Sequence, residues 1–171
     1  VDVGSTGKDL VIESGLDLEV PLTMNYGYCR LAVAAPEGSG IESPEDVTEG
    51  MVVATSFPSA TKEFFRSRGR EVKIAEVSGA AEVTPRIGVA DLIVDLVSSG
   101  STLKTNRLRE IATIFESWAV VVANKESMRD KADEIHELTE AIQSVTDAEG
   151  KKYLMADVPT AALDEVRSFL P

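Results

Sequence analysis

DLIVDLVSSGSTL, residues 91–103, is the most informative part of this chain. Its first half is an aliphatic run that predicts a buried strand and carries two carboxylates, Asp91 and Asp95. Its second half is SSGST, residues 98–102, called the polar turn below. Because Gly100 can adopt backbone angles that are closed to other residues, the hydroxyls and backbone N–H groups of this turn can converge on one small space.

The polar turn predicts an anion site, most naturally a phosphate site. In open α/β sheets, ligands bind at the carboxyl ends of strands, where this turn is expected. Asp91 and Asp95 share a strand face by the period of two, and carboxylates beside a phosphate suit a sugar phosphate. The alternative is a strand that simply ends in a polar turn, and the pattern alone leaves both interpretations open.

Composition limits the classes of function. The chain has 171 residues, enough for one domain or two small lobes, and its core must be mainly aliphatic because only 5% of residues are aromatic. Lys and Arg total 17 against 29 Asp and Glu, a formal net charge of -12. This charge argues against non-specific binding to nucleic acid or to an anionic membrane. A phosphorylated ligand would therefore need local N–H groups, a few Lys or Arg side chains, or a divalent cation.

The chain has one cysteine, Cys29, and one histidine, His136. An intrachain disulfide is therefore impossible, and we expect a reducing compartment, the cytoplasm. Cys29 opens an apolar strand, which favours a core thiol over a nucleophile. His136 lies off the apolar stripe of its predicted helix, which favours a solvated residue over a catalytic one. No apolar run approaches the length of a transmembrane helix.

Strand-like and helix-like segments alternate along the chain, which predicts an α/β fold with a parallel or mixed sheet. Strands are predicted at residues 1–3, 29–35, 51–55, 72–77, 92–97, 118–123 and 153–156. Helices are predicted to begin near residues 8, 44, 59, 80, 131 and 160. The strongest helix start is SPED at residues 43–46, where Ser caps, Pro occupies the first turn and acids face the helix dipole.

Five stretches together resemble the ATP phosphoribosyltransferase family of histidine biosynthesis. The adjoining stretches at residues 76–91 and 91–108 are the specific part of the match. All five stretches are VDVGSTGKDL at 1–10, YCRLAVAAPEG at 28–38, VVATSFPSATKEFF at 52–65, EVSGAAEVTPRIGVAD at 76–91 and DLIVDLVSSGSTLKTNRL at 91–108.

This resemblance implies a two-lobed fold of the type II periplasmic-binding-protein kind. We expect an incomplete first lobe and the start of a ferredoxin-like C-terminal regulatory domain, as in a piece of a long-form enzyme. The expected divisions are residues 1–40 and 117–147 for the first lobe, 41–116 for the second lobe, 148–171 for the regulatory domain, and crossing strands near 29–35 and 118–123.

The family transfers phosphoribosyl from phosphoribosyl pyrophosphate to N1 of ATP, with Mg²⁺ assistance, and releases pyrophosphate. The resemblance assigns the 5′-phosphate to Ser98, Ser99, Gly100, Ser101 and Thr102. It assigns the catalytic and ribose-binding acids to Asp91, Asp95 and Glu82. It assigns the ATP polyphosphate to Thr6, Gly7, Lys8 and Arg30. It also implies a homo-oligomer and inhibition by histidine in the full-length form.

Several assignments have a structural alternative. Asp91 is otherwise a loop cap, Glu82 a solvated helix acid and Lys8 a surface lysine. Arg30 lies inside an apolar strand, which favours a functional or an ion-paired side chain. For the whole chain, the alternative function is a non-enzymatic two-lobed module that binds a small molecule, because fold alone does not settle function.

Overall fold

The computed structural model describes residues 1–152 and 155–168. Within these residues the strands form two sheets, joined by short segments and covered by helices. The strands are β1 (Val3–Gly7), β2 (Glu19–Thr23), β3 (Cys29–Pro36), β4 (Val52–Thr55), β5 (Lys73–Glu76), β6 (Leu92–Val97), β7 (Leu108–Ser117) and β8 (Ala119–Ala123). The helices are α1 (Lys8–Ser14), α2 (Pro58–Arg66), α3 (Ser101–Thr105), α4 (Lys125–Asp130), α5 (Ala132–Ala148) and α6 (Leu163–Arg167).

The larger sheet has five strands in the order β5-β4-β6-β3-β7. β4 runs parallel to β5 and β6, whereas β3 runs antiparallel to β6 and β7. The sheet is therefore mixed, as the alternation of segments predicts. β6 is nearly continuous in aliphatic residues because it lies between two other strands and is covered on both faces.

The smaller sheet has three strands in the order β1-β8-β2, with β8 antiparallel to both neighbours. The chain passes from one sheet to the other over residues 24–28, and it returns at Trp118. β3 pairs along its whole length with strands of the larger sheet, whereas β8 pairs with strands of the smaller one. The division into lobes at residues 40 and 117 stays a prediction.

Two apolar layers cover the larger sheet. One is built from large side chains and includes Leu31, Val33, Val47 and Phe65, each fully buried. The other is richer in small side chains, with Ala32, Ala34 and Ala54 on the sheet itself, and it also contains larger aliphatic side chains such as Ile93 and Leu103. Small residues on this second face leave room beside the strands, and the candidate site lies there.

Several local predictions differ from the structure, and the sequence pattern predicts neither β2 nor α3 nor α4. The start at residues 43–46 forms its capping box but yields only a 3-10 turn, Pro44–Asp46. Val47 then turns to extended backbone and is fully buried in the large-residue layer, so burial of this side chain ends the helix. Likewise, the helix expected from residue 80 is a 3-10 turn, Ala81–Val83. β7 is a ten-residue strand that the sequence pattern does not predict.

The helix expected near residue 160 is confirmed as a 3-10 turn, Thr160–Ala162, followed by α6. The strand expected at 153–156 falls partly on residues 153 and 154, which lie outside the described residues. In the described part of the chain, every helix is too short or too polar to cross a membrane.

Candidate functional site

A cavity of about 200 Å³ lies at the carboxyl end of β6. Its wall is formed by the polar turn, by the first residues of α3 and by two acids, Glu82 and Asp95. The structure therefore brings the predicted turn together with two of the three predicted acids. This is the arrangement expected of a ligand site in an α/β sheet.

Gly100 shapes the polar turn. Its φ of 76° lies in the left-handed region, and α3 begins at the next residue. The backbone N–H groups of Ser99, Gly100 and Thr102 form no hydrogen bond with any described residue. Ser99 and Ser101 share a hydrogen bond between their hydroxyls at 3.0 Å. The turn thus offers unbonded amides and hydroxyls around one space, which is how protein loops bind a phosphate.

Asp95 is half-buried on the small-residue face of β6. It pairs in register with Ala32, whose short side chain leaves space above the strand. Its Oδ1 accepts a hydrogen bond from the Leu96 backbone N–H at 2.8 Å. Burial raises the pKa of the Asp95 carboxyl, and the negative charge of Glu82 raises the pKa further. The position costs the protein stability when Asp95 is ionised, a common property of functional acids.

Glu82 reaches the same cavity from the 3-10 turn Ala81–Val83. Ala80 introduces this turn in the left-handed conformation, with φ of 53°, and Ala81 is buried against the sheet. The side chain of Thr84 closes the turn by donating to the Ala81 carbonyl at 2.7 Å. The turn therefore holds Glu82, which stays partly exposed, over the end of β6.

Asp91 does not line the cavity. It precedes β6, at the opposite end of the strand from the polar turn. Its Oδ2 accepts a hydrogen bond from the Val52 N–H at 2.8 Å, and its own N–H donates to the Val52 carbonyl at 2.8 Å. Asp91 thus caps the start of β4, so the structure supports the loop-cap alternative over joint action with Asp95.

Arg30 lies beside the polar turn but is already bonded. Its Nε and Nη2 donate to the Glu110 carboxylate, with Nη2 to Oε2 at 2.7 Å, and its Nη1 donates to the Ser98 carbonyl at 3.1 Å. The Thr113 hydroxyl donates to Glu110 Oε1 at 3.0 Å. These bonds, Arg30 first, lower the pKa of Glu110. The ion-paired alternative is the one the structure shows.

Thr6, Gly7 and Lys8 lie where β1 runs into α1, next to the return crossing at Trp118. The Lys8 N–H donates to the Trp118 carbonyl at 2.9 Å, and the Lys8 side chain is exposed. A methyl group on Gly7 would lie 2.3 Å from Asp9 Oδ1, so a larger residue here would have to displace the Asp9 carboxylate, and packing alone favours glycine. The structure places this segment beside the crossing, apart from the cavity lining.

Glu110 and Ser117 are polar residues on β7 that sequence reasoning missed. Ser117 is fully buried; its hydroxyl donates to Asp9 Oδ1 at 2.6 Å and accepts from the Asp9 N–H at 2.9 Å. The pairing of β7 with β3 shifts register twice, so its residues do not alternate regularly between polar and apolar. The only signal in the sequence was the aliphatic content of IATIF at residues 111–115.

The described residues contain no group of three or more His, Cys, Asp or Glu side chains arranged to hold a metal ion. Two acids share the cavity, Glu82 and Asp95. Mg²⁺ is commonly held by one or two carboxylates together with phosphates of the substrate. The pair therefore fits an Mg²⁺ ion that arrives with a polyphosphate ligand.

Comparison with known proteins identifies the family. The family model described as ATP phosphoribosyltransferase matches residues 1–144. The chain is 45% identical over 170 residues to the ATP phosphoribosyltransferase of Methanothermobacter thermautotrophicus and 46% identical to that of Methanocella arvoryzae. Each alignment covers 99% of this chain and 59% of the relative. The chain thus spans less than two thirds of the length of these relatives.

Solved structures agree in fold. A chain of the ATP phosphoribosyl transferase (HisG:HisZ) complex from Thermotoga maritima superposes with a TM-score of 0.77 at 33% identity, over 86% of this chain and 71% of that chain. The periplasmic aliphatic sulphonate binding protein SsuA from Escherichia coli superposes with a TM-score of 0.57 at 18% identity, over 86% of this chain and 55% of that chain, a likeness of fold alone. Both fit a two-lobed α/β architecture. On the family model and the sequence identities together, the chain belongs to the ATP phosphoribosyltransferase family.

Proposed function

We propose that this chain carries the phosphoribosyl-transfer site of an ATP phosphoribosyltransferase. The reaction forms a bond between N1 of the ATP adenine and C1 of phosphoribosyl pyrophosphate, and the bond from C1 to the pyrophosphate oxygen breaks. It is the first step of histidine biosynthesis. The observation that supports this proposal is the cavity at the end of β6, where unbonded amides of the polar turn meet Asp95 and Glu82.

The polar turn holds the 5′-phosphate in this proposal. Its amides, with the hydroxyls of Ser98, Ser99, Ser101 and Thr102, supply donors without any free cation, which suits a chain with a net charge of -12. Anchoring the phosphate fixes the ribose relative to the sheet. Orientation of this kind lowers the barrier to bond formation because little further freedom is lost in the transition state.

Asp95 and Glu82 act on the ribose. Positive charge develops at C1 as pyrophosphate departs, and a carboxylate placed near that carbon stabilises the charge. Asp95 also accepts from ribose hydroxyls through the oxygen that does not take the Leu96 N–H. Because Asp91 caps β4, we assign no contact with substrate to it. No covalent nucleophile is required.

Mg²⁺ is part of the proposal as a companion of the pyrophosphate group. Glu82 and Asp95 are the residues that would hold it in the cavity. When bound, the ion neutralises charge on the leaving oxygens. The carboxylates of the chain keep the ion and the ribose on the same side of the sheet.

Thr6, Gly7 and Lys8 are proposed to face the polyphosphate of ATP from the smaller sheet. The exposed Lys8 ammonium is the cation of this group, and the crossing at Trp118 lies between it and the larger sheet. The first lobe is then the region around the smaller sheet, and the second lobe the region around the larger sheet. ATP and phosphoribosyl pyrophosphate would meet between the two.

Further proposals extend to the whole protein. We propose a cytoplasmic enzyme that forms a homo-oligomer and is inhibited by histidine through a regulatory domain that begins near residue 148. The Thermotoga maritima relative was solved as a complex of HisG with HisZ, and association of subunits is the feature proposed in common. Analytical ultracentrifugation with and without histidine tests the association.

Calorimetric titration of phosphoribosyl pyrophosphate with Mg²⁺ tests the site. We expect Asp95→Asn and Thr102→Ala to weaken binding by about tenfold each, the effect of one lost hydrogen bond to a charged group. Asp133→Asn and Thr146→Ala on α5 are matched controls, remote from the cavity, and should leave binding unchanged. Full affinity in both site variants would remove the cavity from the proposal, and liquid chromatography for phosphoribosyl-ATP checks the reaction itself.

A further inference from the structure

Arg30 connects three parts of the larger sheet through one guanidinium group. It lies on β3, where it pairs in register with Val97 of β6 and Glu116 of β7. All three guanidinium nitrogens are bonded: Nε and Nη2 to the Glu110 carboxylate, and Nη1 to the Ser98 carbonyl. Only about a quarter of each side chain in this ion pair is exposed. The group is therefore held in one orientation.

The Ser98 carbonyl is the first carbonyl of the polar turn. A trans peptide is planar, with its C=O and N–H pointing in opposite directions. A donor that fixes the Ser98 carbonyl therefore also fixes the direction of the Ser99 N–H. That N–H has no hydrogen-bond partner among the described residues, and Ser99 lines the cavity.

We propose that Arg30 is a positioning residue, which orients the Ser99 amide toward the 5′-phosphate and is itself held by Glu110. This inference rests on the proposed function of the polar turn. It differs from the expectation that Arg30 binds the ATP polyphosphate, because Glu110 already balances the charge of Arg30 and holds two of its three nitrogens.

The substitution Glu110→Gln tests the positioning role, because the two possible accounts predict changes of anion affinity in opposite directions. Removal of a negative charge near an anion site strengthens anion binding when only electrostatics acts. If Glu110 instead holds Arg30 in place, its loss releases the guanidinium and the Ser98 carbonyl, and anion binding weakens. The two accounts predict opposite changes for the substitution Glu110→Gln.

The experiment is calorimetric titration of this chain with ribose 5-phosphate and, separately, with phosphoribosyl pyrophosphate and Mg²⁺. We expect Glu110→Gln and Arg30→Lys each to weaken ribose 5-phosphate binding by about tenfold, the effect of one charged hydrogen bond. Thr113→Val keeps every charge but removes one of the two donors to Glu110 Oε1, the other being Arg30 Nε, and we expect about a threefold loss of binding. Glu116→Gln is the matched control on the same strand: its carboxylate accepts from Tyr28 at 2.8 Å, and binding should hold or improve.

Equal or tighter binding of ribose 5-phosphate in Glu110→Gln would overturn the positioning role. A loss in Arg30→Lys confined to phosphoribosyl pyrophosphate would instead make Arg30 a direct ligand of the pyrophosphate. If the wild-type chain binds neither compound, the proposed function fails and the role of Arg30 falls with it. Thermal unfolding of each variant shows whether the compared chains are folded. If Arg30 and Glu110 act as a unit, the double variant Arg30→Lys with Glu110→Gln should bind ribose 5-phosphate no more weakly than either single variant.

Discussion

At the scale of single residues, Asp95 is expected to lower the stability of the folded chain while it contributes to ligand binding. Its carboxylate is half-buried beside an aliphatic face, and burial raises its pKa. An ionised group in such a place lowers the stability of the folded state, and functional residues commonly carry this cost. We therefore expect Asp95→Asn to raise the thermal unfolding midpoint at pH 7 while it weakens binding of phosphoribosyl pyrophosphate. A lower midpoint in this variant would contradict the argument.

The raised pKa of Asp95 also predicts how the stability gain of Asp95→Asn depends on pH. The folded chain keeps the Asp95 proton to a higher pH than the unfolded chain, whose Asp pKa is about 3.9. Between these two pKa values the unfolded state binds fewer protons, so the wild-type stability falls as pH rises. The advantage of Asp95→Asn should thus be largest near pH 7 and vanish near pH 3. Urea unfolding of both chains across this range measures it.

A substitution at Gly7 tests whether this residue matters for packing or for the proposed polyphosphate site. Its missing side chain makes room for Asp9, which Ser117 fixes with two hydrogen bonds. We expect Gly7→Ala to reduce the free energy of unfolding by about 1–3 kcal/mol, the usual cost of overpacking. Gly4→Ala on the same strand is the control, because its methyl group would meet Val122 at an ordinary 3.8 Å. A stable Gly7→Ala chain with weakened ATP binding would instead favour the polyphosphate site.

At the scale of elements, α2 begins without a cap of its own. Phe57 at its N-terminus supplies no side-chain hydrogen bond. Glu13 of α1, the helix that follows β1, does so instead: its Oε1 accepts from the Ser59 N–H at 2.7 Å and its Oε2 from the Ala60 N–H at 3.0 Å. Helices begin with unbonded N–H groups and a positive dipole, so this carboxylate both caps α2 and ties it to α1.

We expect Glu13→Ala to lower the free energy of unfolding by about 1–2 kcal/mol, the range measured for lost helix caps. Urea unfolding provides the measurement. Glu137→Ala on the exposed side of α5 is the control, because among the described residues its carboxylate has no hydrogen-bond or ion-pair partner. Similar losses in the two variants would show that Glu13 contributes only as a surface charge.

The elements also show where pattern reasoning succeeds and where it fails. β6 and α5 were predicted because each follows one period without interruption, as an aliphatic run and as an amphipathic stripe. β7 was missed because two register shifts against β3 break its alternation. The helix predicted from residues 43–46 is too long. Its local cap is correct, but the burial of Val47 that ends it is a long-range contact, which the local pattern does not contain.

At the scale of the whole molecule, the two sheets differ in how they are buried. The two apolar layers found in the described residues both cover the five-stranded sheet. The three-stranded sheet has open edges at β1 and β2, and β2 has no buried residue. Local opening is easier where fewer apolar contacts must break. We expect backbone amides of β3 and β6 to exchange with solvent deuterium more slowly than those of β1 and β8, by mass spectrometry. Equal rates would show that both sheets open as one unit.

Residue type and short-range period are enough to establish the α/β class, the buried strand at 92–97, the polar turn after it and the family. Which acid faces the cavity depends on tertiary contacts. Asp91 accepts a hydrogen bond from the Val52 N–H at the start of β4, whereas Asp95 lies in the cavity beside the polar turn. The role of Arg30 depends on tertiary contacts too, since its partner Glu110 lies 80 residues away on a strand set beside β3 by sheet order. Such partners follow from which strands become neighbours, and no local pattern encodes that order.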